Sequence, residues 1–143
     1  MSERGKAVDR AVRALARRDH SSASLDAKLE RAGLSEEARA EALERLERAG
    51  YVDDARFARD RADHLAGKGY GDDWIREDLD AQGVPPEAIG PALADLAPER
   101  ERATEQAGRL GGGLRAARTL QRRGFSEGSL EWLLAEDESG GVG

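Results

Sequence analysis

The sequence predicts an all-α protein made of three tandem three-helix repeats stacked into an elongated, curved array, and three observations predict it. The first is composition. Apolar residues fill 38% of the 143 positions, but 25 of them are Ala, with only two Ile and five Val. Ala, Leu, Glu and Arg lose little side-chain freedom in a helix, and the β-branched residues that fill sheets are nearly missing. The second is helical periodicity of the apolar residues. The third is an internal repeat: "LERAGLSEEARAEAL" (Leu29–Leu43), "LDAQGVPPEAIGPAL" (Leu79–Leu93) and "LQRRGFSEGSLEWLL" (Leu120–Leu134) align without a gap. Each carries Leu, then Gly four residues on (Gly33, Gly83, Gly124), an apolar residue (Leu34, Val84, Phe125) and a helix-capping or helix-starting residue (Ser35, Pro85, Ser126). Units this small bury little surface alone and gain their core by stacking on neighbours.

The elements follow in order. In "KAVDRAVRALARR" Val8, Ala11, Val12 and Leu15 recur at helical spacing, and Arg10, Arg13 and Arg17 fall on the opposite side. A Ser-rich break at Ser21 to Ser24 follows, then a short helix through Leu25 and Leu29, a stop at Gly33, and a longer helix from about Ser35 to Ala49 with Ser35 as N-cap. "GYVDDARFARD" (Gly50–Asp60) reads as a helix stop joined directly to a helix start. Gly50 takes the left-handed position past the helix, Tyr51 folds back on the last turn, Asp53 caps the next helix, and Val52 and Phe57 have the spacing of a hydrophobic staple. Asp54, in the first turn, complements the helix dipole. Each aligned Leu-Gly segment is preceded by a further helix, at 7–18, about 54–66 and about 98–110. The repeats are therefore placed at 6–50, 51–97 and 98–137, flanked by a flexible N-terminus (1–5) and a flexible tail (138–143).

Charge is distributed in blocks. Residues 1–18 carry +4, 19–98 carry −9, 99–123 carry +4 and 124–143 carry −5, within a net charge of −6. Two basic segments thus flank an acidic middle, which admits polyanionic or acidic partners at particular places. No Cys is present, which excludes disulfides and thiolate metal sites. No run approaches the ~18 apolar residues of a membrane span, and "MSERGKAVDRAVRAL" lacks the apolar core of a signal peptide. A soluble, cytoplasmic protein is expected.

Catalytic chemistry finds no support. Asp53, Asp54, Asp60 and Asp63 could make a hard-cation site only if their carboxylates converged, and adjacent acids at a helix start diverge. His20 and His64 have no partner at ligand spacing. "LGGGL" lacks the Lys-Ser/Thr of a phosphate loop. No enzyme, cofactor or metal is expected. A helix-turn-helix reading of DNA bases also fails on charge: residues 36–49 hold five Glu against three Arg, and 86–97 and 126–138 hold acids without a base.

At this point the strings suggest a family. "ALARRDHSSASLDAKLERAG", "LERAGYVDDARFA", "GKGYGDDWIREDLDAQGV" and "LQRRGFSEGSLEWLL" together resemble the RecX regulatory proteins of bacteria, from about Lys6 to Ala135. The Arg-Arg-x-His-Ser stretch, the Gly-Tyr-x-Asp-Asp-x-x-Phe-Ala string and the Arg-Arg-Gly-Phe turn carry the likeness. It implies three tandem three-helix repeats and a modulator of the RecA recombinase in DNA repair, recombination and the SOS response. Such a protein would bind in the groove of the RecA–DNA filament and restrain its ATPase, strand-exchange and coprotease activities.

The candidate partner- or DNA-binding residues are Arg10, Arg13, Arg17 and Arg18 in the first basic segment, and Arg115, Arg118, Arg122 and Arg123 in the second. Arg115, Arg118 and Arg122 form one helical stripe opposite Ala116 and Leu120, with Arg123 near the turn. Both stripes can be solvated helix faces or docking surfaces, and the planar fork of Arg suits carboxylates and phosphates. Phe57, Phe125 and Trp132 are expected in the core. Tyr70 and Trp74 either anchor an interface or cover a small core. The expected partner is RecA, with single-stranded DNA reached through the filament, and the protein is expected to act as a monomer. A stand-alone, non-specific nucleic-acid-binding protein is the alternative.

Overall fold

The computed structural model describes residues 1–140. These form α1 (Glu3–Arg17), α2 (Ser22–Arg31), α3 (Glu36–Arg48), α4 (Asp54–Gly67), α5 (Asp72–Ala81), α6 (Pro86–Ala94), α7 (Glu99–Arg109), α8 (Gly113–Arg122) and α9 (Glu127–Gly140), with no strand among the described residues. In each set of three the first and third helices pack on each other, α1 on α3, α4 on α6 and α7 on α9, and the second helix closes the triangle.

Three small cores result. Ala7, Ala11 and Ala14 of α1 meet Leu25, Leu29, Leu34, Ala38, Ala42 and Leu46 in the first. Ala58, Ala62 and Leu65 face Ile75, Leu79, Val84 and Ile89 in the second, and Ala103 and Ala107 face Leu120, Phe125, Leu130 and Leu133 in the third. Alanines on the first helix of each unit let its backbone approach the third helix closely, so dispersion contacts compensate for small side chains. The apolar stripe of α1 is therefore Ala7–Ala11–Ala14; Val12, expected on it, is 48% exposed.

The repeated Leu-Gly segments share one geometry. Gly33, Gly83 and Gly124 have φ of 86°, 78° and 89°, the left-handed region that glycine enters without a Cβ clash. The N–H of the next residue then returns to the carbonyl of the repeated leucine: Leu34 to Leu29, Val84 to Leu79, Phe125 to Leu120, at 3.0–3.3 Å. The same closure recurs at Gly50, where Tyr51 N–H donates to Leu46 O at 2.9 Å.

Three boundaries differ from expectation. Helix α1 begins at Glu3 within the stretch expected to be flexible, because the Ser2 hydroxyl caps it and the Glu3 carboxylate accepts from Ser35 N at 2.7 Å. Helix α2 starts inside the Ser-rich break, capped by Ser21. At the other end α9 continues to Gly140, and residues 141–143 of the expected tail lie outside the described residues. At the second unit's entry Asp53 does cap α4, accepting from Arg56 N at 3.0 Å. Val52, not Tyr51, is the buried residue there, at 3% against 66% exposure. Val52 belongs to the first core and Phe57 packs on the second, so the staple is replaced by a crossing between units.

Candidate docking surfaces

Successive units meet at two polar joints of matching design. At each, the start of one unit's second helix enters the next unit between the start of its first helix and its Gly turn. In the first joint Asp54, the opening residue of α4, accepts from Ser22 N at 2.8 Å and Ser22 Oγ at 2.6 Å, and Ser21 Oγ donates to Gln82 O at 2.5 Å. In the second joint Glu99, the opening residue of α7, accepts from Asp72 N at 2.7 Å. Gly71 N donates to Arg123 O at 2.8 Å and Asp73 N to Gly124 O at 3.1 Å. Helix α5 has no side-chain cap of its own; its free N–H groups are capped by the neighbouring unit.

Arg102 secures the second joint. Only 9% exposed, it donates to Ala97 O at 2.9 Å, to Tyr70 O at 3.2 Å and to the Asp72 carboxylate, and its guanidinium lies 5.9 Å from the Phe125 ring centroid. Burial raises the pKa of Asp72, with Arg102 opposing and Glu99 reinforcing the rise. Burial also pushes Glu99 upward, but bonds from the Ser126 hydroxyl, Asp72 N, Ser126 N and the Ser129 hydroxyl bring it below the usual carboxylate range. Position alone made Asp54 look like a dipole partner and left Glu99 and Arg102 unremarked. The signal was the register, which puts an acid (Glu3, Asp54, Glu99) at the start of the first helix of every unit.

The predicted site residues fall in three places. Arg10, Arg13 and Arg17 line a cleft of about 750 Å³ on the first unit, together with Lys6 and Lys28, which the sequence reading did not single out. Arg13 is paired with Asp9 at 3.1 Å, while Arg10, Arg17 and Lys28 have no ion pair among the described residues. Arg18 ends α1, exposed and outside the cleft lining. On α8, Arg115, Arg118 and Arg122 are exposed opposite buried Ala116 and Leu120; their only side-chain bond among the described residues is Arg122 to Thr119 Oγ1 at 3.3 Å. Arg123, Tyr70 and Trp74 belong to the second joint. Tyr70 and Trp74 stack with centroids 4.5 Å apart at 11°, and Trp74 stays 41% exposed.

Among the aromatics expected in the core, Phe125 is buried, Phe57 is half-buried, and Trp132 is not: it is 44% exposed with the Arg100 guanidinium 5.0 Å from its ring centroid. The α9 stripe that fills the third core is Leu130–Leu133, which turns the intervening Trp outward. Among the described residues no three acids or histidines gather as a metal site, and no helix is long and apolar enough to cross a membrane.

His20 is 4% exposed, with Nδ1 3.0 Å from Ser24 Oγ and Nε2 without a partner among the described residues. Burial, then Arg18 and Lys28, lower its pKa, and Asp19 opposes them. The unfolded chain therefore binds this proton more readily, and stability falls as pH drops below the unfolded value of about 6.5. Thermal midpoints at pH 7.5 and 5.5 should drop on acidification in the wild type, and His20→Gln should flatten that difference. Equal slopes would show that the imidazole does not titrate in the fold.

Residues 7–46 match the model of the RecX first three-helix domain, and residues 53–93 that of the RecX second three-helix domain, together more than half of the chain. The chain belongs to the RecX family. Among RecX relatives, the regulatory protein RecX of Xanthomonas oryzae pv. oryzae (strain MAFF 311018) is 42% identical over 87 residues, 61% of this chain and 54% of that protein. RecX of Stenotrophomonas maltophilia (strain R551-3) is 41% identical over 86 residues, 60% and 53% of the two. The chain spans about half the length of the curated relatives it matches. The crystal structure of RecX from Lactobacillus salivarius has the same fold, with a TM-score of 0.81 at 18% identity over 94% of this chain and 96% of that one. A second RecX crystal structure gives 0.80 at 23% identity, over 93% and 73%. The strings that carry the RecX likeness lie largely at the joints: Ser21 and Asp54 in the first, Arg123, Gly124 and Phe125 in the second.

Proposed function

We propose that this chain docks as a monomer in the groove of a RecA filament on single-stranded DNA and restrains ATP hydrolysis, strand exchange and coprotease activity there. The observation that carries the reading is the placement of arginines. Arg10 and Arg17 on the first unit, and Arg115, Arg118 and Arg122 on the third, have no internal ion pair among the described residues, whereas in the second unit half-buried Arg61 is neutralised by Asp78, and the exposed Arg56 and Arg59, also without an ion pair, share α4 with Asp54, Asp60 and Asp63. Basic groups left unpaired at both ends of a polar-jointed array suit a repetitive acidic surface, whether protein carboxylates or phosphates. The acidic middle would meet basic surfaces of the filament. DNA would be reached through the filament, because the third helices are net acidic, α3 with its Glu outnumbering its Arg and α6 and α9 with acids and no base, where a base reader needs basic groups.

Reversing Arg115, Arg118 and Arg122 to Glu together should raise by about tenfold or more the concentration needed to half-inhibit RecA ATP hydrolysis on single-stranded DNA. That expectation rests on roughly half a kcal/mol for each exposed ion pair. Helicity by circular dichroism should not change. Full inhibition by the reversed protein would mean that the stripe is only a solvated face. The same unpaired arginines favour one rival reading, a stand-alone nucleic-acid binder, which requires tight binding to bare strands with a steep fall as salt rises.

A further inference from the structure

The outer end of the first unit has the same parts that receive a helix in the second joint, and none of the described residues fills them. Glu3 stands where Glu99 stands, at the start of a first helix, and both accept from the N–H of the third-helix cap, Ser35 at 2.7 Å and Ser126 at 2.9 Å. The second oxygen of Glu99 caps the incoming helix at Asp72 N; no hydrogen bond among the described residues reaches the second oxygen of Glu3. Ala32 and Gly33 stand where Arg123 and Gly124 stand. The carbonyls of Arg123 and Gly124 cap Gly71 and Asp73, and those of Ala32 and Gly33 accept from no described residue. Lys6 occupies the helical position of Arg102, the residue that holds the first-turn carboxylate of the incoming helix.

These parts lie together: Glu3, Lys6, Arg10, Ala32 and Gly33 all line the 750 Å³ cleft. Its charge is also set for an external acid. In the second unit Arg61 pairs with Asp78 across α4 and α5; the equivalent positions in the first unit are Arg10 and Lys28, two cations without an ion pair among the described residues, in a cleft whose acids Glu3 and Asp9 already bond Ser35 N and Arg13. Two internal joints therefore show what such a surface holds, and the uncompensated cations say which charge its occupant carries.

We infer that this cleft is a docking site for the N-terminal turn of an acidic-start helix on a partner protein, its N–H groups capped by Glu3 and the Gly33 turn and its carboxylates held by Lys6 and Arg10. A second copy continuing the array is the wrong occupant, because the corresponding second helix of the last unit, α8, carries Leu114 and Arg115 in its first turn and no acid. The inference extends the docking role proposed above by naming the chemistry of one contact.

Its test needs no RecA. The full chain, labelled with 15N, is titrated with a blocked peptide of the sequence of residues 69–82, which contains α5 with Asp72 and Asp73 in its first turn. Amide resonances of Lys6, Arg10, Gly33 and Leu34 should shift and saturate. Replacing Asp72 and Asp73 of the peptide by Asn, or Lys6→Gln in the protein, should weaken binding at least tenfold; Lys6 is exposed, so that variant keeps its fold. Absence of shifts, shifts confined to α7 and the Gly124 turn, or equal binding of the Asn peptide would overturn the proposal. So would a thymidine oligonucleotide that moves these resonances when the peptide does not, which would make the cleft a nucleic-acid surface. Failure here leaves the ATPase experiment untouched, and a chain without effect on RecA could still bind the peptide.

Discussion

Gly71→Ala is expected to lower the unfolding free energy by about 3–5 kcal/mol, although the backbone at this residue (φ −88°) is one that alanine adopts freely. The cause is distance. A Cβ on Gly71 would lie 2.5 Å from the carbonyl carbon and 2.6 Å from the oxygen of Gly124, and closer still to Phe125 N, all of them backbone atoms that cannot rotate aside. Overpacking of this kind costs about 1–3 kcal/mol. Moving the units apart would also sever the bonds from Gly71 N to Arg123 O and from Asp73 N to Gly124 O, worth about 1 kcal/mol each. Gly67→Ala is the control: it sits at the end of α4 with nothing within 4 Å of its would-be Cβ, and it should be neutral or stabilising by about 0.4–1 kcal/mol. Urea denaturation with amide exchange at Gly71 and Asp73 measures both. Equal stability of the two variants would mean that the second joint is not closed in solution.

Arg102→Ala should be the most damaging side-chain truncation at the joints, at about 3 kcal/mol. Removing one member of a buried ion pair costs about 3–5 kcal/mol because its partner is left uncompensated. The lower end applies because the Asp72 side chain keeps 31% of its exposure. The variant also loses the donors that hold Ala97 O and Tyr70 O. Its pH dependence identifies the mechanism. Without Arg102, the burial and the Glu99 charge that already raise Asp72 are opposed only by the weaker pull of Arg76. A carboxyl whose folded pKa lies above its unfolded value destabilises the fold once ionised, so the penalty is full near pH 7 and shrinks as the solution is acidified through the folded pKa. Asp72→Asn added to Arg102→Ala should recover part of the loss at pH 7. If the double variant is as unstable as the single one at both pH values, the loss comes from packing and carbonyl contacts rather than from the stranded carboxylate.

The units were legible in the sequence because their signals are local. A leucine followed four residues later by a glycine reports a helix stop whatever surrounds it, and Gly33, Gly83 and Gly124 are indeed left-handed with the expected backbone closure. Asp53 and Ser35 as caps were readable for the same reason. The joints were not, because their bonds link residues 27–61 positions apart and use residue types that are ordinary at a helix start. Asp54 has the spacing of a dipole partner, and only the fold shows Ser22 above it. Side-chain direction was misjudged where neighbours of similar character compete: Val52 took the buried place expected for Tyr51, and Trp132 yielded to Leu130 and Leu133. The arginine stripes lie on helix faces as their spacing predicts; Lys6 continues the first stripe four residues before Arg10 and was legible there, whereas Lys28, which completes the cleft, sits on α2, beyond the reach of the α1 periodicity.

If, as proposed, both basic ends act on an assembled filament, nucleic acid is reached only through it. Fluorescence anisotropy of the labelled chain against RecA filaments on a thymidine oligonucleotide, against the bare oligonucleotide, and against free RecA tests this at one physiological salt concentration. Binding to the filament should be at least tenfold tighter than to the bare strand, with the preference lost in the Arg115/Arg118/Arg122 charge-reversed protein. Equal or tighter binding to the bare strand, collapsing steeply as salt is raised, would contradict the proposal.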